Sequence, residues 1–301
     1  MQFIGNLSAV KAMESYCKKE NWGNLTFSGP KGVGKFTSAK ALACKLVNCS
    51  ETQLATHPDV YLCDGKEMKV EDITTLLNFS MLMPEKSFKK IVIIDNSNEL
   101  SEIIQNKLLK VVEEGNTTTF FFVAHQKLLE TIESRTFSIV FSKLTASEME
   151  QYFNSIEEIP TLPICMLQGS IGRYNELKED AVLADTVLCL KSTLENLKNK
   201  SELFQVFHVL KEKDKEEFFS SNKKNIDLII AFLKEVFFNL YMKKKQLHVN
   251  AIINNLEALD SVYSLQESAS IYKKLQQHYL SCKDARYSKN DFFILIAYMV
   301  L

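Results

Sequence analysis

The first part of the chain alternates short apolar runs with stretches of helical spacing. The apolar runs that we predict as strands are residues 25–27, 60–63, 91–94, 120–123 and 137–141. Between them, helical spacing runs through residues 36–47, 70–81 and 101–114. Strands that alternate with helices are typical of a parallel sheet covered by helices. The pattern therefore predicts an α/β domain in residues 1–143.

After residue 143 the pattern becomes helical and stays so to residue 301. Thr145 and Glu148 form a predicted capping box that begins this part. Up to about residue 185 the helices are short and are interrupted by Pro160, Pro163 and Gly169. Beyond that point, windows of amphipathic spacing follow one another with almost no Gly or Pro. We predict a small helical domain at 144–185 and an all-helical domain at 186–301.

Composition and charge exclude several classes of protein. The hydrophobic fraction of 46% and the charged fraction of 24% are those of an ordinary globular protein. A net charge of -1 gives no sign of an extended nucleic-acid-binding surface. The 7 cysteines include no C-x-x-C pair, so we expect neither a disulfide framework nor a metal site, and we expect a cytoplasmic location.

Two further observations argue against export and membrane insertion. The N-terminus lacks a basic region followed by an apolar run, so we expect no signal peptide. The most apolar segment, residues 226–242, contains Asp227, Lys234 and Glu235. Charged residues at this spacing favour a buried helix over a membrane span.

Residues 29–36, which read GPKGVGKF, match a phosphate-binding loop except at the last position. In the pattern G-x-x-x-x-G-K-[ST], the glycines expose backbone amides to phosphate and the lysine adds a positive charge. The final hydroxyl would ligate magnesium, and Phe36 has no oxygen for that role. The sequence therefore predicts a loop that has lost its metal ligand. Its candidate nucleotide-binding residues are Gly29, Gly32, Gly34, Lys35 and, as a shifted hydroxyl, Thr37.

The predicted strand at residues 91–94 ends in Asp95 and Asn96. In phosphate-loop ATPases an aspartate at this place orients the magnesium shell. A carboxylate directly after it would activate the attacking water, whereas the amide of Asn96 cannot accept a proton. The second defect agrees with the first, so we interpret the site as one that no longer hydrolyses nucleotide.

Ser134 and Arg135 lie just before the last predicted strand. An arginine at a domain edge can stabilise the phosphoryl-transfer transition state in a neighbouring subunit. From local sequence alone, an arginine in contact with solvent is the favoured explanation of Arg135.

Several segments together resemble the delta-prime clamp-loader family of bacterial DNA polymerase III. The resemblance extends from residue 5 to about residue 141. The segments that carry it, in the order of the family, are His57-Pro58-Asp59, residues 70–73 (VEDI), 90–96 (KIVIIDN), 105–114 (QNKLLKVVEE) and 128–135 (LLETIESR).

The resemblance implies an AAA+ fold, in which the α/β domain is followed by a helical lid and a helical collar that joins subunits into a ring. It implies a stator that does not hydrolyse ATP and that supplies Arg135 to a neighbour through a Ser-Arg-Cys motif, here with Thr136 as the third residue. It also implies that Arg173 lies in a nucleotide-sensing segment of the lid. Many relatives carry a four-cysteine zinc module, but Cys44, Cys49 and Cys63 are wrongly spaced for one, so we expect no zinc.

We therefore favour a subunit without ATPase or polymerase activity of its own. Its implied partners are the motor subunits (gamma or tau) and delta, with the sliding clamp and primer-template DNA reached through the complex; no membrane partner is expected. No cofactor is required, and weak binding of ATP or ADP is left open. The alternative is an active motor subunit in which Thr37 replaces the missing hydroxyl. A metabolite kinase is a third reading, which leaves the long helical C-terminal part unexplained.

Overall fold

The computed structural model describes residues 4–19, 21–114, 117–160, 162–202, 225–247, 253, 256–281 and 288–300. By contacts the chain divides into two compact units. The first unit comprises residues 1–156 and 169–173, and the second comprises 157–168 and 174–301. Our predicted division at 143 and 185 into three domains stays a prediction.

A five-stranded parallel sheet forms the centre of the first unit. Its strands are β1 (Leu25–Ser28), β2 (Val60–Asp64), β3 (Lys90–Asp95), β4 (Thr118–Ala124) and β5 (Phe137–Val140), in the order β2-β3-β4-β1-β5. Every neighbouring pair is parallel, with Leu25 opposite both Phe121 and Phe137. The predicted α/β class with a parallel sheet is confirmed.

Helices follow the strands and cover both faces of the sheet. Those of the first part of the chain are α1 (Leu7–Cys17), α2 (Lys35–Val47), α3 (Glu51–Leu54), α4 (Ile73–Met81), α5 (Glu102–Glu114), α6 (Glu130–Glu133) and α7 (Ala146–Ser155). The sequence pattern predicted α2, α4 and α5 to within three residues. The single-turn helices α3 and α6 were not predicted, because one turn is too short to show a helical period.

Successive residues of the central strands enter two separate cores. Ile91 and Ile93 pack with α1 and α2, whereas Val92 and Ile94 pack with α4 and α5. Side chains of a strand alternate between the two faces of its sheet, so a sheet covered on both sides needs apolar residues at every position. This explains why the strands appear in the sequence as continuous apolar runs.

The chain beyond α7 is helical throughout the part that the structure describes. Its helices are α8 (Ile164–Leu167), α9 (Ile171–Leu177), α10 (Ala181–Glu195), α11 (Ile226–Lys244), α12 (Leu256–Val262), α13 (Leu265–Ser281) and α14 (Lys289–Val300). The predicted capping box is confirmed at the start of α7, where the Glu148 amide donates to Thr145 Oγ1 and the Thr145 amide donates to Glu148 Oε2.

The apolar segment at 226–242 forms a buried helix, as predicted. Leu228, Phe232 and Phe237 of α11 are almost completely buried, and α11 packs mainly against α13 within the second unit. Within the described part of the chain, we find no helix whose length and hydrophobicity would let it cross a bilayer.

A buried carboxylate, Asp59, fixes the loop that leads into β3. It is fully buried and accepts hydrogen bonds from the backbone amides of Glu85, Lys86 and Ser87 at 2.7–2.8 Å. Burial alone would raise the pKa of this carboxyl, but these amides and the Ser87 hydroxyl hold the pKa at about 2. The Nζ atom of Lys90 lies 3.6 Å away. The His-Pro-Asp segment thus has a structural role in this chain.

We expect Asp59→Asn to lower the free energy of unfolding by about 2–3 kcal/mol, because the amide cannot accept all of these bonds as an anion does. The folded pKa lies below the ordinary value of 3.8, so the stabilisation is present above that pH and is lost as the pH falls toward 2. Urea unfolding of both proteins across this range measures the difference. The exposed Glu67→Gln is the control. Equal stability of Asp59→Asn and wild type at neutral pH would contradict this role.

Candidate functional site

The phosphate loop connects β1 to α2 at the carboxyl end of the sheet. β1 lies between β4 and β5. The chain leaves β1 toward β2 at one edge of the sheet, whereas it leaves β4 toward β5 at the opposite edge. Ligands of open parallel sheets bind at such a position. Gly34 has a φ of +92° and directly precedes α2, whose free amides and helix dipole point toward the loop. The predicted placement of the motif is confirmed.

Two glycines of the loop are in close contact with other backbone segments. A Cβ atom on Gly29 would lie 2.2 Å from the carbonyl oxygen of Phe141. A Cβ on Gly32, where φ is +72°, would lie 2.2 Å from Ser170 Oγ and 3.0 Å from the Cα of Gly172. The glycines thus serve close packing as well as backbone conformation.

Lys35 is turned toward the backbone of its own loop. It is only 6% exposed, and its Nζ donates to the carbonyl oxygens of Gly29 at 2.8 Å and Pro30 at 2.5 Å. Burial lowers the pKa of Lys35 to about 8, although the negative charge of Asp95 opposes this shift. A phosphate group would have to draw the ammonium away from these two carbonyls.

Phe36 occupies the position that a metal-ligating hydroxyl would take. Its ring is partly buried against the core beneath α2, and Lys40 Nζ lies 5.2 Å from the ring centre. Thr37, the next residue of α2, is exposed. Among the described residues, no cluster of three or more His, Cys, Asp or Glu side chains could hold a metal ion.

Asn96 connects the two aspartates that end β2 and β3. Its Nδ2 donates to Asp64 Oδ1 at 3.0 Å, and its backbone amide donates to Asp95 Oδ1 at 2.9 Å. Burial raises the pKa of Asp95, and the nearby charge of Asp64 raises it further, while the bond from Asn96 lowers it. A glutamate at position 96 would add a third carboxylate to this pair. Asn96 therefore stabilises the pair of aspartates, but its side-chain amide cannot act as a general base.

The segment at 169–173 packs directly on the phosphate loop within the first unit. Ser170 Oγ donates to the Lys31 carbonyl at 3.1 Å, and the Gly172 amide donates to the Gly32 carbonyl at 2.9 Å. The backbone amide of Arg173 donates to Ser170 Oγ. Arg173 was the predicted site residue of this segment, whereas Ser170 and Gly172, which were not predicted, make the contacts. A small-residue spacing of G-S-x-G was the only signal.

Ser134 and Arg135 lie at the opposite end of the sheet. They directly precede β5, whereas the phosphate loop follows β1, and β1 and β5 are parallel neighbours. A strand rises about 3.3 Å per residue, so these four-residue strands separate the two ends by roughly 13 Å. The structure therefore brings together the loop, Asp95 and the backbone of Arg173, and it places Arg135 elsewhere.

The side chain of Arg135 is held on the surface of its own chain. Its Nε and one terminal nitrogen pair with Glu113 of α5, and the other terminal nitrogen donates to the Thr131 carbonyl and to Ser134 Oγ. Ser134 Oγ in turn donates to the Thr131 carbonyl. Gln105 of α5 accepts a bond from the Leu129 amide at the start of α6. Helix α5 thus fixes the segment that carries Arg135 at two points.

Because Gly32 and Gly172 are in close contact, we predict that replacing Gly172 by alanine lowers the stability, although this change in a helix normally raises it. Gly172 lies in α9, where alanine would ordinarily stabilise a helix by about 0.5–1 kcal/mol. Here a Cβ would lie 2.6 Å from the Cα of Gly32, so we expect Gly172→Ala to destabilise by about 1–3 kcal/mol. Thermal unfolding measures it. Gly23→Ala, whose Cβ meets nothing within 4 Å, is the control. A raised melting temperature for Gly172→Ala would disprove the contact.

Comparison with known proteins shows what the first part of the chain is similar to. Residues 7–145 match the model of a family described as DNA polymerase III, delta subunit. The DNA polymerase III subunit delta' of Bacillus subtilis is 25% identical over 238 residues, which cover 70% of each chain. A replication factor C small subunit of Methanococcus maripaludis is 27% identical over 201 residues, 62% of each chain. The probable replication factor C subunit 2 of Dictyostelium discoideum is 27% identical over 167 residues.

The match covers 53% of this chain and 48% of the Dictyostelium protein, so the chain spans less than two thirds of both replication factor C relatives. By name, the relatives and the family are subunits of DNA polymerase III and of replication factor C. The resemblance of this chain to delta-prime clamp-loader subunits is therefore confirmed, and residues 7–145 carry most of it.

Proposed function

We propose that this chain is a non-hydrolysing clamp-loader subunit that supplies Arg135 to the ATP site of a neighbouring motor subunit. The observation that carries the proposal is the packing of Phe36 against the core beneath α2. Because phenylalanine has no side-chain oxygen, no change in the conformation of Phe36 can supply a hydroxyl there. The loop therefore lacks the ligand that would hold magnesium on the β- and γ-phosphates.

The environment of Asp95 supports the same proposal. Water attack on the γ-phosphate needs a group that orients the water and accepts its proton. Asn96 cannot accept that proton, and its amide is already used in the bond to Asp64. Hydrolysis at this loop would thus lack both the metal ligand and the base.

Arg135 lies where it can act on another subunit but not on the phosphate loop of its own chain. It precedes β5 at the amino end of the sheet and is 37% exposed. A planar guanidinium that reaches a neighbour's γ-phosphate stabilises the charge that develops there during transfer. Ser134, which contacts a terminal nitrogen of Arg135, orients the side chain.

The complex that we propose contains gamma or tau motor subunits and delta, with residues 186–301 as the collar that joins them. Together they would load the sliding clamp onto primer-template DNA in the cytoplasm. This chain needs no metal and no cofactor for that role. ATP or ADP binding at Gly29, Gly32, Gly34 and Lys35 would be weak, because the bonds of Lys35 to two loop carbonyls must first break.

We predict that the purified chain shows no magnesium-dependent ATP turnover, because neither the metal ligand nor the base is present. Phosphate release measured at saturating ATP tests this. Turnover that is also seen in Lys35→Ala would come from a contaminant, whereas turnover that Lys35→Ala and Thr37→Ala both abolish would support the alternative of an active motor that uses Thr37.

We expect Arg135→Ala to reduce turnover at the site that it serves by about a thousandfold in a loader reconstituted with its motor subunits. The measurement is DNA-stimulated ATPase activity, with gel filtration to check that the complex still assembles. Lys127→Ala, which removes an exposed positive charge from the loop before α6, is the matched control. Normal ATPase activity of the Arg135→Ala complex would refute the assignment.

A further inference from the structure

All three guanidinium nitrogens of Arg135 are occupied within this chain. Glu113 takes Nε and one terminal nitrogen, and the Thr131 carbonyl and Ser134 Oγ share the other. An arginine that is to contact a neighbour's phosphate must give up some of these bonds. The bonds to Glu113 hold it most strongly, because two guanidinium nitrogens contact Oε1 of a carboxylate of opposite charge.

The position of Glu113 is unfavourable for its own helix. It is the penultimate residue of α5, beside Glu114, and the last turn of α5 contains no basic residue. The carboxyl end of a helix carries a partial negative charge, so two carboxylates there repel the helix dipole. Arg135 is the positive group that compensates Glu113, whereas Glu114 has no ion pair with any described residue.

We propose that Glu113 is a positioning residue. It keeps the guanidinium of Arg135 bonded within its own chain, and it competes with a neighbour's phosphate for that guanidinium. This inference rests on the proposed function. With no nucleotide in the neighbouring site, the guanidinium lies against Glu113 and α6. A bound triphosphate offers more negative charge and more acceptor oxygens, and it draws Arg135 away.

The exposure of the pair permits such an exchange. The side chains of Arg135 and Glu113 are 37% and 45% exposed, so water and salt weaken their attraction. Glu113 itself also repels an approaching phosphate. Removing its charge should therefore help nucleotide binding at the neighbouring site in two ways: by freeing Arg135 and by reducing repulsion.

The first test uses the full chain alone and does not depend on any partner. The chain contains three arginines (Arg135, Arg173 and Arg286), so the arginine Nε–H region of a nitrogen-15 NMR spectrum is simple. The signal missing in Arg135→Lys identifies Arg135. We expect its proton to exchange with water severalfold faster in Glu113→Gln than in wild type. Glu114→Gln, the adjacent matched control, should leave the rate unchanged. Equal exchange rates in Glu113→Gln and Glu114→Gln would overturn the proposal.

The second test uses the reconstituted loader and measures the ATP concentration that gives half-maximal turnover. Because an exposed ion pair is weak, we expect Glu113→Gln to lower this concentration by about two- to fivefold. Glu114→Gln removes the same charge without releasing Arg135, so any smaller effect that it has measures repulsion alone. The difference between the two variants should vanish at high salt, which a merely structural role of Glu113 would not produce.

Arg135→Ala in the same loader separates the two proposals. If this variant keeps full turnover, the proposed function itself is wrong. If it loses turnover while Glu113→Gln behaves as Glu114→Gln does at every salt concentration, Arg135 acts in trans and only the holding role of Glu113 is refuted.

Discussion

The five strands of the sheet run in one direction, and this constraint determines where each functional group of the first unit lies. Loops that follow strands meet at the carboxyl edge, where the phosphate loop and Asp95 are found. A residue that precedes a strand lies at the other edge, as Arg135 does. A chain with this topology therefore cannot bring Arg135 to its own phosphate loop without losing β5 from the sheet.

Phe36 and Asn96, on which the proposed loss of ATPase activity rests, also contribute to the fold. Phe36 contributes its ring to the core beneath α2, and Asn96 bridges Asp64 and Asp95 with hydrogen bonds. Restoring a hydroxyl or a glutamate at these positions would remove packing in one case and add a repelling carboxylate in the other. Both residues thus make structural contacts in addition to the role that the proposed function gives them.

The phosphate loop keeps its conformation by contacts that do not involve nucleotide. Lys35 bonds to the carbonyls of Gly29 and Pro30, and Gly32 packs against Gly172. At the other edge of the sheet, Glu113 likewise neutralises the charge of Arg135 within the chain. In both places a charged group that would serve phosphate in an ATPase is paired with groups of its own chain.

Much of this protein follows from its sequence alone. Continuous apolar runs between helical stretches determined the parallel sheet, because a sheet buried on both faces needs apolar residues at every position. The loop motif gave the position of Lys35. Phe36 and Asn96 were identified because their residue types depart from the motifs.

Tertiary structure alone decided the rest. Three contacts have no local sequence pattern that predicts them. Gly172 contacts Gly32, Glu113 bonds to Arg135 across 22 positions of the chain, and Asp59 fixes a loop 26 residues away. Such contacts depend on how distant segments pack and not on the spacing of neighbouring residues.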